Sequence, residues 1–67
     1  MEIMAKRIRE LRQEKGLSMD KLAKILNVSN AIICKWENNI SEPTASNIIA
    51  LADYFNVSAD YLLGRQD

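Results

Sequence analysis

The chain has 67 residues, of which nine are basic, nine are acidic, one is cysteine and none is histidine. This length suits one small domain, whose core supplies about 3 to 5 kcal/mol of stability. A lone cysteine excludes an intrachain disulfide and, without histidine, a Cys/His metal site, which indicates a reduced, cytoplasmic protein. The start MEIMAKRIRE has no long apolar run behind its charges, so we expect no signal peptide. No run of about eighteen apolar residues is present, so we expect no transmembrane helix.

The zero net charge conceals an uneven distribution. Residues 1–35 contain eight basic and four acidic side chains, a net charge of +4, whereas residues 36–67 contain one basic and five acidic side chains, a net charge of −4. A polyanion would therefore meet the first half of the chain. The alternative is that these charges belong to ordinary solvated helix faces.

The sequence predicts five short helices and no strand. The first carries an apolar stripe of Met4, Ile8 and Leu11 and ends at Gly16. Each of the others begins with a hydroxyl residue that can cap a free backbone N–H, followed four positions later by an aliphatic residue. These pairs are Ser18 with Leu22, Ser29 with Ile33, Thr44 with Ile48, and Ser58 with Leu62. The predicted helices cover about residues 3–15, 18–26, 29–37, 44–55 and 58–63.

The connection between the second and third helices is very short. Only Asn27 and Val28 separate Leu26 from Ser29. Asparagine tolerates the positive φ that ends a helix, and so tight a turn makes the two helices cross steeply, as in a helix-turn-helix. Ala23 is small enough to let the two backbones approach at the crossing.

The third helix has two chemically different faces at about 100° per residue. Ile33, Trp36 and Glu37 share one side, and helical spacing from Ile33 favours core packing of Trp36 over base stacking. The opposite face is small or polar and fits a major groove about 12 Å wide. Its amide suits an adenine edge, its lysine suits guanine acceptors or a phosphate, and its alanine suits a thymine methyl. This face consists of Asn30, Ala31, Cys34 and Lys35.

Five segments from about Ile8 to Gly64 carry a family resemblance: "IRELRQEKGLS", "LAKILNVS", "WENN", "EPT" and "LADYFNVSADYLLGR". In this order and spacing they resemble the Cro/C1-type (XRE) helix-turn-helix domain of phage repressors and bacterial transcriptional regulators. The resemblance implies a compact, all-α, five-helix lambda-repressor-like domain over residues 1–67. It further implies a sequence-specific regulator of transcription, a repressor without enzymatic activity or cofactor, that binds a palindromic operator in double-stranded DNA as a homodimer.

The resemblance also implies roles for individual residues. The second helix would cross the DNA backbone while the third lies in the major groove. Arg12 and Glu37 would form an internal ion pair that joins the first helix to the third. Base contacts would come from Asn30, Ala31, Cys34 and Lys35, and contacts to the DNA backbone from Ser18, Met19, Ser29 and Asn38.

Two departures from the family pattern leave a second function open. Met19 stands where the family commonly has a phosphate-binding glutamine, and the usually basic loop after the third helix is here Ile40-Ser41-Glu42. These departures suit a protein-interaction module, either an anti-repressor or an antitoxin-like partner, that keeps the fold with weakened DNA binding.

Near the end of the chain, Tyr61 and Leu63 are candidates for a dimer contact, or else they close the core of the monomer.

Overall fold

The computed structural model describes residues 1–66, and this part of the chain contains five α-helices and no strand. The predicted all-α, five-helix class is therefore confirmed. Each helix begins and ends within one residue of its predicted range, while Asp67, part of the predicted domain, lies outside the described residues. The helices are α1 (Glu2–Glu14), α2 (Met19–Leu26), α3 (Asn30–Glu37), α4 (Ala45–Phe55) and α5 (Ala59–Leu62).

Four helices begin at a hydroxyl side chain that accepts a hydrogen bond from a backbone N–H three residues later. The distances are 3.0 Å at Ser18, 3.2 Å at Ser29, 3.3 Å at Thr44 and 2.9 Å at Ser58. Each cap residue has extended backbone angles, so the chain turns into the helix at that point. The caps satisfy N–H groups that would otherwise have no partner within the helix.

Left-handed backbone conformations end most of the helices. Gly16 follows α1 with φ +67°, and Asn27 ends α2 with φ +58°. Asn38 is the C-cap residue of α3, and Asn39, which follows it, also has φ +58°. Asn56 ends α4 in the same way with φ +56°. The sequence analysis did not predict this ending. Asparagine recurs because its short polar side chain tolerates this conformation better than most residues.

The core draws one fully buried aliphatic side chain from every helix. Three of them, in α2, α3 and α5, follow a capping residue by four positions, so the cap also fixes which face of the helix points inward. Around them pack Trp36, Phe55 and several smaller apolar residues. The five fully buried side chains, each with 0% of its surface exposed, are Ile8, Leu22, Ile33, Leu51 and Leu62.

The helix packing places α3 against both α1 and α2, while α5 packs against α1 and α4. Because α3 contacts two helices on one side, its opposite side is left at the surface. This arrangement determines which residues of α3 can reach a partner.

Candidate nucleic-acid interface

The turn between α2 and α3 is closed by backbone hydrogen bonds. After the left-handed Asn27, the N–H of Val28 donates to the carbonyl of Ala23 at 2.9 Å, and Ser29 then caps α3. Ala23 is buried, with 4% of its surface exposed, so no larger side chain separates the two helices there. The predicted helix-turn-helix connection is present in the structure.

The two faces of α3 have opposite environments. Ile33, Trp36 and Glu37 are buried, with at most 3% of each residue exposed. On the other side Asn30, Ala31 and Lys35 are exposed, and Cys34 is half-buried. Ile32 lies between the two faces and is 38% exposed. The exposed face therefore offers an amide, a methyl group and a primary ammonium, with a thiol beside them.

A buried carboxylate holds α3 on α1. Arg12 Nε donates to Glu37 Oε2 at 2.6 Å, and Arg12 Nη2 donates to Glu37 Oε1 at 3.0 Å. Arg12 Nη1 also donates to the carbonyl of Leu17 at 2.8 Å, which ties the same guanidinium to the segment before α2. The side-chain hydrogen bond to Glu37 is the main cause of a raised pKa at Arg12. A charged, hydrogen-bonded partner is what a buried carboxylate requires.

Arg9 is a second partner of Glu37 that the sequence reading missed. Its Nη2 donates to the backbone carbonyl of Glu37 at 2.9 Å, and its Nε lies 3.6 Å from Glu37 Oε1. Arg9 precedes Arg12 by three positions and therefore lies on the same face of α1. That spacing is the signal that points to its role, since two arginines on one helix face can share one buried acid.

Two of the four predicted base-contacting side chains already have polar partners in the protein. Asn30 Nδ2 donates to Asp20 Oδ1 at 2.6 Å, a contact across the helix-turn-helix that the sequence reading did not include. The Sγ atom of Cys34 lies 3.3 Å from Asn38 Nδ2, which donates to it. Ala31 and Lys35 complete the exposed row of α3.

The predicted backbone-contacting residues lie at the starts of α2 and α3 and at the end of α3. The hydroxyls of Ser18 and Ser29 serve as helix caps. Met19 is half-buried and packs against the core cluster, so its side chain lies partly against the protein's own interior. Asn38 donates through Nδ2 to the carbonyl of Cys34 at 2.8 Å, which satisfies one of the free carbonyls at the end of α3.

The acidic loop after α3 contacts the start of the chain. The ammonium group of Met1 donates to Asn39 Oδ1 and to Glu42 Oε2, both at 2.7 Å. Glu42 therefore has a cationic partner, although 58% of its side chain remains exposed. Ile40 in the same loop is 70% exposed. The loop thus combines a paired carboxylate with an apolar side chain at the surface.

Tyr61 and Leu63 are half-buried and pack against the core cluster. The guanidinium of Arg7 lies over the Tyr61 ring, 4.2 Å from its centroid, and donates to the Tyr61 carbonyl. Its Nη1 also donates to the carbonyl of Gln66 at 2.7 Å. This packing agrees with the alternative in which the two side chains close the monomer's core, while a dimer contact through them stays a prediction.

Residues 1–66 contain no pocket and no group of three or more His, Cys, Asp or Glu residues placed to hold a metal ion. Within the same residues, no helix is both long and apolar enough to cross a membrane.

A five-helix domain with this turn and an exposed polar row on its third helix belongs to the helix-turn-helix class. The family comparison agrees, since the helix-turn-helix family model matches residues 8–62. The chain is a member of this family, which confirms the resemblance to Cro/C1-type domains.

Relatives and solved structures support the same assignment. The HTH-type transcriptional regulator ImmR of Bacillus subtilis is 33% identical over 64 residues, which cover 96% of this chain and 50% of that protein. Repressor protein C2 of Salmonella phage P22 is 37% identical over 62 residues, covering 92% of this chain and 29% of that protein. The chain thus spans half or less of these two relatives. The crystal structure of the P22 c2 repressor with a synthetic operator superposes with a TM-score of 0.89 at 35% identity, covering 98% of this chain and 100% of that one.

Proposed function

We propose that this protein binds double-stranded DNA in a sequence-specific manner through α3 and regulates transcription as a repressor that occupies an operator. The observation that carries the proposal is the division of α3 into two faces. One face is buried and fixed to α1 through Glu37, whereas the other presents exposed Asn30, Ala31 and Lys35. A rigidly held helix with small and polar exposed side chains fits the width and chemistry of the major groove.

In this proposal the side chains of α3 read bases according to their chemistry. Asn30 pairs with an adenine edge, Lys35 with guanine acceptors, and Ala31 with a thymine methyl, with Cys34 beside them. Backbone contacts come from the starts of α2 and α3, near Ser18, Met19 and Ser29, and from Asn38 at the end of α3. At a helix start the backbone N–H groups attract phosphate even where the side chain cannot donate.

A homodimer on a palindromic operator is the proposed functional unit. The Met19 side chain cannot donate to a phosphate, and the acidic side chain of Glu42, although paired with the Met1 ammonium, remains 58% exposed. One domain alone is therefore expected to bind DNA with modest affinity. Two linked half-sites about 34 Å apart, one turn of DNA, would compensate for this weakness. The P22 c2 repressor, similar over almost the whole chain, has been crystallised in complex with a synthetic operator. In this proposal the protein acts in the cytoplasm, where its single cysteine stays reduced, and it works by binding rather than by catalysis.

The second candidate is a protein-interaction module of the anti-repressor or antitoxin-like kind. The observation in its favour is the loop after α3, where Ile40 is 70% exposed beside the acidic Glu42. A carboxylate at this place would repel a phosphate backbone, whereas a protein partner could bind both the carboxylate and the isoleucine.

One experiment separates the two candidates. The purified protein is used to select from random duplex DNA, and the recovered pool is bound again over a series of salt concentrations. A regulator enriches a palindromic motif and loses affinity steeply with salt, because each neutralised phosphate contributes about −0.9 to the slope of log K against log salt. A motif-free pool with a steep salt dependence would contradict base reading. No retention even at low salt would contradict DNA binding and favour the protein-interaction module.

A further inference from the structure

The carboxylate of Asp20 contacts the first residue of the proposed recognition helix. Asp20 lies in the first turn of α2 and Asn30 begins α3, and both side chains are exposed. Asn30 Nδ2 donates to Asp20 Oδ1 at 2.6 Å. We infer that Asp20 is a positioning residue, which orients the amide of Asn30 for base recognition and so determines the base preferred at that position; this inference rests on the proposed function.

The chemistry of the two groups fixes the orientation of the amide. An ionised carboxylate accepts hydrogen bonds but cannot donate one, so only the NH2 end of the Asn30 amide can face Asp20. One N–H is used in this contact, while the second N–H and the carbonyl oxygen stay available. Together they form the donor and acceptor pair that matches N7 and N6 of adenine in the major groove. Without Asp20 the amide is free to rotate and to present its donor and acceptor in the opposite order.

The same carboxylate has an opposite effect on total affinity. Asp20 stands at the start of α2, where DNA phosphates approach in the proposed complex, and its negative charge repels them at every sequence. Asp20 therefore raises discrimination between bases while it lowers binding to DNA in general. A residue with only a structural role would still repel phosphates through its charge, but it would leave discrimination between bases unchanged.

Two substitutions of one residue separate these effects. Asp20→Asn keeps an oxygen that can accept from Asn30, but it removes the charge and adds an NH2 donor, so it holds the Asn30 amide less firmly than a carboxylate does. Asp20→Ala removes both the contact and the charge. Both variants are expected to bind non-specific duplex several-fold more tightly than the parent at low salt, with the gain shrinking as salt rises. Asp20→Ala is expected to lose base discrimination by about tenfold at the position that Asn30 reads, and Asp20→Asn to lose a smaller part of it.

The test uses the whole 67-residue chain in five forms. These are the parent, Asp20→Asn, Asp20→Ala, Asn30→Ala and the double variant with alanine at positions 20 and 30. Each selects from random duplex DNA and is then titrated with the parent's preferred duplex and with single base-pair variants of it. We expect Asp20→Ala and Asn30→Ala to lose preference at the same base pair, and Asp20→Asn to keep part of that preference. A double variant with alanine at both positions should lose no more discrimination than Asn30→Ala alone, because the two residues act through one contact.

A measurement without DNA keeps this inference separate from the proposed function. Hydrogen exchange of the Asn30 side-chain NH2, followed by NMR, should be slowest in the parent, faster in Asp20→Asn and fastest in Asp20→Ala. Equal exchange in the parent and Asp20→Ala would overturn the inference whatever the protein binds. So would an Asp20→Ala variant that keeps the parent's motif, or one that changes preference at a different base pair, since Asp20 would then read a base itself. A parent that selects no motif at all would remove the proposed function and this inference together.

Discussion

Glu37 of α3 is completely buried and accepts two hydrogen bonds from Arg12 of α1, at 2.6 and 3.0 Å. The side chain of Arg12 is itself only 13% exposed. Because the hydrogen bond to Glu37 raises the pKa of Arg12, the guanidinium is charged in the folded state at every pH below that raised value. The contribution of the charged guanidinium to stability is lost only as pH rises through the raised pKa. Titration of Arg12 therefore does not change the stability of the protein near neutral pH.

Replacement of Arg12 by alanine is expected to lower the free energy of unfolding by about 3 kcal/mol, because it leaves a buried carboxylate without its main partner. Arg9 Nε remains 3.6 Å from Glu37 and limits the loss. Denaturation by urea, followed by circular dichroism, measures the change. Arg65→Ala is the matched control, since Arg65 lies 3.9 Å from Asp60 in an exposed pair and should change stability by less than about 0.5 kcal/mol. Equal stability of Arg12→Ala and the parent would remove the ion pair as a stabilising contact.

A second prediction about stability follows from the left-handed backbone conformation of Asn27. Asn27 has φ +58° at the turn between α2 and α3. Side chains other than those of asparagine and aspartate are unfavourable in this left-handed conformation, because they cannot hydrogen-bond to the nearby backbone. Asn27→Ala should therefore lower the free energy of unfolding by about 1 kcal/mol. Asn27→Gly is the control, because glycine adopts positive φ without a steric penalty, and it should melt close to the parent. Identical melting of the alanine and glycine variants would show that the turn relaxes to another conformation.

The features that were predictable from the sequence are local. A capping hydroxyl bonds an N–H three residues away, so Ser18, Ser29 and Ser58 could be identified without knowing how the helices pack. The periodicity of apolar residues then placed Ile33 and Trp36 inside and left the opposite face of α3 at the surface. Both signals depend on helix geometry alone.

The features that were missed depend on the relative placement of helices. The contact between Asp20 and Asn30 joins two helices across a turn, and its formation depends on the crossing geometry as well as on the residue types. The ring of Tyr61 is covered by Arg7, which lies 54 residues earlier in the chain, so no local pattern predicts that Tyr61 is half-buried. Composition and spacing do not encode such contacts, because many surface residues have equally suitable chemistry.

Met19 is the position at which a substitution should increase DNA binding. Its side chain is half-buried against the core, and its place at the start of α2 is close to the proposed path of the DNA backbone. Glutamine is also unbranched and adds a donor at the tip, so Met19→Gln should strengthen binding about fivefold, which corresponds to one hydrogen bond. The gain should be the same for operator and random duplex, because phosphates carry no sequence information.

Met19→Leu is the matched control for this substitution, since it keeps an apolar side chain without a donor and should bind as the parent does. Titration of both variants with a preferred duplex and a random duplex at fixed salt measures the difference. If Met19→Gln gains nothing over Met19→Leu, α2 does not approach a phosphate as proposed.

Lys35 provides the most direct test of base reading by α3. It is exposed in the last turn of α3, on the face opposite the buried Trp36 and Glu37. Lys35→Ala should weaken binding to the preferred duplex by about 1 to 3 kcal/mol and relax preference at one base pair of each half-site. Lys6→Ala is the control for charge, because Lys6 is an exposed lysine on α1 and its loss should leave the selected motif unchanged. Selection from random duplex with both variants shows whether Lys35 contacts a base or a phosphate. If Lys35→Ala binds more weakly but selects the parent's motif, Lys35 contacts a phosphate. Base reading would then rest on Asn30, Ala31 and Cys34.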